Sequence, residues 1–229
     1  MDMPIVEALE SYLLGAPVEH VRPLDGGVGH PYKLALILRG GVGVVAKLGN
    51  SEQMMRQARR EVAAWLLAVE LGLARLVPAT VLRQIPTSGN PSTPTLEGSV
   101  QILWPRFRMA LEDPIKPESC SKAVSWPIAV FDLLLANTDR KADNWGTIDG
   151  LPRAVLIDHG HAFEAADSQS VFVEIHRDQP VPRGLLRQIE SFSAGQEHSR
   201  LRNVLDGTEC DAVFDRASRI LKHKTLTIR

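Results

Sequence analysis

The sequence predicts an α+β protein of two lobes, a small β-rich N-lobe over about 1–103 and a mainly helical C-lobe over about 104–229. Short runs of β-branched and aliphatic residues, bounded by glycine and proline, are typical of the N-terminal part. Amphipathic helical patterns prevail after residue 163. The segment 103–120 is irregular and contains several prolines, which indicates a boundary between lobes.

Composition and charge restrict the classes of partner. Hydrophobic residues make up 44% of the chain and charged residues 23%, as in a globular protein with a core. The formal net charge is -1, so no positive field draws the chain to nucleic acid or to an anionic membrane. Residues 1–14 lack the features of a secretory signal, and Cys120 and Cys210 lack a disulfide-type spacing. We therefore expect a soluble, cytoplasmic protein without nucleic-acid or membrane partners.

The predicted N-lobe starts with a glycine-rich turn and a hairpin. Gly26, Gly27 and Gly29 lie in the turn, and an aliphatic run over 32–39 follows it. A second, β-branched run over 44–48 comes after a glycine-rich break, so the two runs predict an antiparallel hairpin. By the same criteria we expect strands near 77–82 and 99–103, with a surface loop over 85–98 between them.

One long helix is predicted in the N-lobe. Ser51 is a favourable N-cap and Gly72 a favourable C-terminal stop, with strong helix formers between them. Apolar residues recur in this segment at intervals of three and four, which indicates one buried stripe. Glu61 lies at the edge of the stripe and can face inward. Arg59 and Arg60 are expected to face water.

The predicted C-lobe contains the most polar stretch of the chain. A mostly apolar helix over 123–136, with Pro127 in its first turn, leads into the polar residues 137–144. An apolar run over 154–157 then ends in Asp158. Further helices are predicted at 182–193, 197–205 and 209–223.

Two polar side chains flank a predicted second hairpin. If its turn is centred on Leu151, Asn144 lies opposite Asp158, with Cβ atoms roughly 4.5–5.5 Å apart. At that separation an amide oxygen and a carboxylate can share one divalent cation. A shift of one residue would send one of the two side chains to the other face, so this prediction depends on the register.

A third polar residue completes the group. Asp139 precedes Asn144 on the same polar loop. Phosphoryl transfer requires a carboxylate that orients the attacking hydroxyl and accepts its proton, together with cations that neutralise the phosphates. Asp139 suits the first role, and Asn144 and Asp158 suit the second. Zinc binding by Asp158, His159 and His161 is an alternative, but no further histidine or cysteine follows at a suitable spacing.

Two motifs here resemble those of a known family. Residues 137–144 (Asn-Thr-Asp-Arg-Lys-Ala-Asp-Asn) and 156–163 (Leu-Ile-Asp-His-Gly-His-Ala-Phe) look like the catalytic and metal-binding motifs of HipA-like kinases and the related phosphatidylinositol 3-/4-kinase superfamily. Lys141 stands where those proteins usually have a histidine. The resemblance implies a single domain over 1–229 with a bilobal protein-kinase-like fold. It also implies that ATP and Mg²⁺ are used to move the γ-phosphoryl group of ATP to a hydroxyl.

The same resemblance implies a nucleotide site in the N-lobe. Lys47 resembles the lysine that holds the α- and β-phosphates, and Glu61 resembles its ion-pair partner on the following helix. Asp139 would be the catalytic base, with Asn144 and Asp158 as metal ligands. The remaining implied contacts to the nucleotide are the backbone of Gly26, Gly27 and Gly29, the hinge residues Leu103 and Trp104, and the neighbouring residues Ala46 and Ile157.

Two alternatives to an active kinase stay open. One is a catalytically silent nucleotide-binding regulatory module, a pseudokinase, and the other is a different ATP-dependent modification on the same fold. As acceptor, a protein, through serine or threonine, or a small molecule is favoured over lipid, because the net charge is near neutral and no basic membrane-binding helix is present. Some HipA-like kinases silence themselves by phosphorylating a serine in the glycine-rich loop. Residues 25–33 contain no serine or threonine, so a brake is expected from a regulatory partner protein or from another segment.

Overall fold

A computed structural model of the 229-residue chain describes residues 3–24, 33–88, 93–112, 115–148, 154–164 and 168–226. Within these ranges, a five-stranded sheet with two helices precedes residue 103, and most of the ordered structure after residue 120 is helical. This is the α+β division that the sequence predicts. The glycine-rich turn with Gly26, Gly27 and Gly29 lies outside the described residues, so its role stays a prediction.

An antiparallel sheet with the strand order β1-β2-β3-β5-β4 forms the base of the N-lobe. Its strands are β1 (Val18–Pro23), β2 (Lys33–Leu38), β3 (Val42–Leu48), β4 (Thr80–Pro86) and β5 (Thr95–Ile102). Leu34, Leu36 and Leu38 are buried in β2, because alternate residues of a strand share one face. The predicted hairpin is confirmed, since β2 pairs with β3 and Lys33 lies opposite Lys47.

The second pair of strands is longer than expected. The segment 85–98, predicted as a surface loop, contains the end of β4 and the start of β5. Gly98 was one reason for the loop prediction, because glycine is common in loops, but Gly98 lies within β5. A Cβ atom added at Gly98 would stand 2.3 Å from the carbonyl oxygen of Lys47. Glycine therefore permits a close approach of β5 to β3 here.

Helix α2 (Glu52–Glu70) packs against this sheet, and α1 (Met3–Gly15) contacts β4. Both predicted ends of α2 are confirmed, because Ser51 Oγ accepts the N–H of Met54 and Gly72 has a φ of +69°. Glu61 is buried as predicted. Arg60 is buried too, contrary to the prediction that it faces water, because its guanidinium pairs with Glu209 of the C-lobe.

The C-lobe combines helices with a small sheet. Its elements are β6 (Phe107–Met109), α3 (Lys122–Leu135), β7 (Trp145–Ile148), β8 (Ala154–Leu156), α4 (Val171–Ile175), α5 (Arg183–Ala194) and α6 (Gly207–His223). Pro127 is an interior residue of α3, beyond the first turn where the sequence places it. The predicted helix 197–205 is wrong, since short 3₁₀ turns over 196–198 and 200–203 replace it, with Ser199 capping the second.

The two lobes share one continuous apolar core. The N–H of Leu156, at the end of β8, donates to the carbonyl oxygen of Leu76 in the N-lobe at 2.7 Å. Cys120 and Cys210 are free thiols, as their spacing predicts. In the part of the chain that the structure describes, no helix has the length and apolar character needed to span a membrane.

Candidate active site

The predicted register of the second hairpin is wrong by one residue. Strands β7 and β8 pair Trp145 with Leu156, and the N–H of Ile157 donates to the carbonyl oxygen of Asn144 at 3.0 Å. Asn144 therefore faces Ile157, not Asp158. Asp158 follows the end of β8 with a φ of +57°, so the chain leaves the strand direction there. This turn brings Asp158 and Asn144 into the lining of one cavity in spite of the shifted register.

That polar cavity has a volume of about 340 Å³ and lies between the lobes. Four of the predicted site residues line it together: Lys47, Asp139, Asn144 and Asp158. Lys33 and Lys141 also reach it. The structure thus brings Lys47 of the N-lobe together with three residues of the C-lobe. Each of those three is more than ninety positions away from Lys47 in the sequence.

Ion pairs connect α2, β3 and the end of β8 across this cavity. Lys47 Nζ bonds to Glu61 Oε1 and lies 2.8 Å from Asp158 Oδ1. Burial disfavours all three charges, but their mutual attraction outweighs it. As a result the pKa of Glu61 falls to about 2, the pKa of Asp158 falls below its ordinary value, and the pKa of Lys47 rises. All three groups are therefore ionised at neutral pH.

Lys33 is a site residue that the sequence analysis missed. Its Nζ lies 3.4 Å from Asp158 Oδ2, on the other carboxylate oxygen from Lys47. Because Lys33 is directly paired with Lys47 between β2 and β3, their side chains point to the same face of the sheet. The predicted hairpin contained the signal, since a two-residue period places one lysine on each strand of that face.

A buried network holds the loop that contains Asp139. The side chains of Arg140 and Asp132 are both fully buried, with Arg140 Nη2 2.9 Å from Asp132 Oδ1. Arg140 Nη1 also donates to the backbone carbonyls of Asn144 and Ile157. One guanidinium therefore joins α3, the polar loop and the residue before Asp158. The sequence predicts no role for Arg140, because the helix that carries its partner Asp132 is predicted only as a mostly apolar helix.

Asp139 itself is partly exposed at the cavity. Its backbone N–H donates to Asn137 Oδ1 at 2.8 Å. Asn144 Nδ2 donates to the backbone carbonyl of Asp139 at 2.7 Å and to its Oδ2 at 3.1 Å, while Lys141 Nζ lies 2.7 Å from its Oδ1. The carboxylate is thus fixed in place by neighbours on its own loop.

The oxygen atoms at this site fit a metal that is bound jointly with phosphates. Asn144 donates its amide N–H groups to Asp139, so its side-chain carbonyl oxygen is the atom it could offer to a cation. Asp158 lines the same cavity and could offer a carboxylate oxygen. Among the described residues, no cluster of three or more histidine, cysteine, aspartate or glutamate side chains could hold a metal alone. Mg²⁺ is usually held by one or two protein oxygens together with substrate phosphates.

The two histidines of the zinc alternative occupy different surroundings. The ring of His159 is fully buried, edge-on to Phe131 with ring centroids 5.9 Å apart. His161 is exposed at the rim of the polar cavity. This arrangement favours the oxygen site over zinc.

A smaller, mostly apolar cavity of about 120 Å³ adjoins the polar one. Leu103, Trp104 and Ile157 line it, as the resemblance implies. Ala46 does not, because it points to the opposite face of β3 and is buried in the core, and Val45 lines the cavity instead. The N–H of Leu103 already donates to the carbonyl oxygen of Gly43. This hinge donor is therefore used within the N-lobe.

Comparison with known proteins identifies the fold. Neither a model of a protein family nor a curated protein sequence matches the chain. Similar solved structures include the Golgi casein kinase (16% identity, TM-score 0.66, covering 97% of this chain and 75% of that one). The same kinase with Mn/ADP bound (15%, 0.64, covering 97% and 76%) and a hydra Fam20 with sugar (14%, 0.67, covering 97% and 88%) are others. The chain has a protein-kinase-like fold, and identities this low establish the fold alone.

Proposed function

We propose that the protein is an ATP-dependent phosphotransferase, a single kinase-like domain that moves the γ-phosphoryl group of ATP to a hydroxyl. The observation that carries the proposal is the Lys47–Glu61 and Lys47–Asp158 ion pairing at the junction of a polar and an apolar cavity. A nucleotide that places its base in the apolar cavity directs its phosphates towards Lys47. The kinase-like fold supports this arrangement.

In this proposal each polar residue has one role. Asp139 orients the acceptor hydroxyl and takes its proton as the oxygen attacks the γ-phosphorus and the bond to the β-phosphate oxygen breaks. Lys47 binds the α- and β-phosphates, and Glu61 fixes Lys47. Asn144 and Asp158 would hold Mg²⁺, which neutralises phosphate charge when it is bound. Adenosine diphosphate and the phosphorylated acceptor are the products.

We infer that the acceptor is a serine or threonine of a protein. The near-neutral net charge gives no attraction to an anionic lipid surface. The similar Golgi casein kinase has a protein acceptor in its name. The resemblance of the two C-lobe motifs to those of HipA-like kinases also supports a protein acceptor.

The decisive experiment is incubation of the purified protein with γ-labelled ATP, Mg²⁺ and a cell lysate, followed by mass spectrometry of labelled proteins. A phosphate added to serine or threonine supports the proposal. Nucleotide binding without any transfer would indicate the pseudokinase. An added mass of a nucleoside monophosphate, detected with α-labelled ATP, would indicate nucleotidyl transfer on the same fold.

A further inference from the structure

We propose that Lys33 is a second phosphate-binding lysine, which holds the polyphosphate of the nucleotide together with Lys47. The proposal rests on the nucleotide-binding function proposed above and adds a residue that determines how strongly the phosphates are bound. It is carried by the position of Lys33 in the fold, by its contacts and by the charge of the group around Asp158.

The sheet holds the two lysines side by side. Lys33 and Lys47 are directly opposed in the ladder between β2 and β3. Directly opposed residues have Cβ atoms roughly 4.5–5.5 Å apart on one face, so both ammonium groups reach the same region. They bind the two different oxygens of Asp158, Lys47 Nζ at 2.8 Å and Lys33 Nζ at 3.4 Å.

Lys33 also lies where the two cavities meet. Of the described residues, Lys33, Lys47 and Asp158 are the ones that line both the polar and the apolar cavity. A nucleotide that extends from one cavity into the other must pass these three side chains. The first groups beyond its sugar are phosphates, which therefore come next to both lysines.

The two lysines differ in how many carboxylates they already pair with and in how exposed their side chains are. Lys47 is shared between the carboxylates of Glu61 and Asp158, and its side chain is 22% exposed. The side chain of Lys33 is 33% exposed, and its long contact to Asp158 leaves ammonium protons for another acceptor. Lys33 is thus the better placed of the two to turn towards an incoming phosphate.

Lys33 should favour phosphate binding because its positive charge balances the negative charges around Asp158. The four ionised groups, Lys33, Lys47, Glu61 and Asp158, together carry no net charge. Without Lys33 the remaining three carry one net negative charge, which would repel a polyphosphate in a partly desolvated cleft. If Asp158 held a cation, its carboxylate would be less available to Lys33, and the phosphates would offer Lys33 a replacement partner.

The test compares ligands that differ only in their phosphates. Dissociation constants of adenosine, AMP, ADP and ATP, the last two with Mg²⁺, are measured by calorimetry for wild type, Lys33→Met, Lys33→Gln and Lys33→Arg. We expect Lys33→Met and Lys33→Gln to weaken ATP binding about tenfold, with little change for adenosine, because one charge-assisted hydrogen bond is lost. Lys33→Arg should keep most of the affinity.

The controls separate this proposal from a structural role and from the proposed function. Lys222→Met removes an exposed lysine on α6 and should leave every affinity unchanged. If both Lys33 variants bind ATP as tightly as wild type, or lose adenosine and ATP affinity equally, Lys33 does not bind phosphate and the inference is wrong. If wild type itself binds no ATP, the proposed function is wrong, and the inference about Lys33 is wrong with it.

Discussion

A substitution at Asp139 is the most direct test of the proposed chemistry. The Asp139 carboxylate contacts Asn144 Nδ2 and Lys141 Nζ, and it lines the same cavity as Lys47. None of these contacts links it to α2 or to the apolar cavity. Binding of the nucleotide and transfer of its phosphate should therefore be separable at this residue.

We predict that Asp139→Asn binds Mg·ATP as wild type does but transfers phosphate about 100- to 10,000-fold more slowly, because the amide cannot accept the proton of the acceptor hydroxyl. Calorimetry measures the binding and a radiolabel assay measures the turnover. Asp215→Asn makes the same chemical change at an exposed position of α6 that does not line the cavity, and it serves as the matched control. Wild-type turnover by Asp139→Asn would show that another group is the base.

Arg140 shows how one buried residue can fix several parts of the site. Its pair with Asp132 is fully excluded from water, and removal of one partner leaves the other as an unpaired buried charge. Such an uncompensated charge is much more destabilising than the loss of an exposed pair. The effect of a substitution should therefore be large and should depend on burial.

We predict that Arg140→Met lowers the free energy of unfolding by about 3–5 kcal/mol, measured by urea denaturation. Arg177→Met removes the arginine of an exposed pair with Glu174, and we expect a loss of no more than about 1 kcal/mol. Equal losses in the two variants would mean that the buried network contributes nothing beyond a surface pair.

At the scale of elements, helix α2 is held by both lobes at adjacent residues. Glu61 faces the cleft and bonds to Lys47, while Arg60 faces α6 and bonds to Glu209 Oε1 through Nη2 at 2.8 Å. Arg60 Nη1 also donates to the carbonyl oxygen of Gly160 at 3.4 Å and to Glu164 Oε1 at 3.2 Å. The position of Glu61 relative to Lys47 is therefore set partly by the C-lobe.

We predict that Arg60→Met destabilises the protein by about 3 kcal/mol and lowers kcat/KM for ATP roughly 10- to 100-fold, because α2 loses its attachment and Glu61 no longer fixes Lys47. Urea denaturation and steady-state kinetics measure the two effects. Arg59→Met changes the neighbouring, exposed arginine and should behave as wild type. A kinetic effect of the same size in Arg59→Met would rule out this role for Arg60.

At the scale of the whole molecule, ion pairs connect the lobes in several places. Lys47 reaches Asp158, Arg60 reaches Glu209, and Arg200 Nη2 lies 2.8 Å from Glu10 Oε2 on α1. Ser199 Oγ donates to Glu70 Oε2 at 2.7 Å. Of these carboxylates, Asp158 has a pKa held below its ordinary value by Lys47 and Lys33 in spite of burial, so acid should weaken its contact between the lobes.

We predict that stability falls between about pH 4.5 and pH 2. The pKa of Glu61 is lowered from 4.5 to about 2, and the pKa of Asp158 is lowered as well, so their contribution is complete above the unfolded values and is lost as pH falls through the folded ones. Urea midpoints measured from pH 6 to pH 3 provide the check. Glu61→Gln should show a shallower decline in this window, and an unchanged slope would contradict the assignment.

Local patterns in the sequence were sufficient for much of the fold. The β2–β3 hairpin, both ends of α2 and the inward position of Glu61 follow from strand alternation, capping residues and helical periodicity, which act over a few neighbouring positions. The motifs around Asp139 and Asp158 likewise indicated residues that the structure places in one cavity. The kinase-like fold was expected from those motifs and is confirmed by the solved structures.

Only the tertiary structure decided the features that depend on distant partners. Arg60 appears solvent-facing in the sequence because its partner Glu209 is 149 positions away. The register that opposes Asn144 to Ile157, and the left-handed turn that still brings Asp158 to the cavity, depend on how β7, β8 and Arg140 pack together. Lys33 enters the site because the sheet holds it beside Lys47. Periodicity assigns a face to a residue, but the partner that faces it is determined by the packing of elements far apart in the chain.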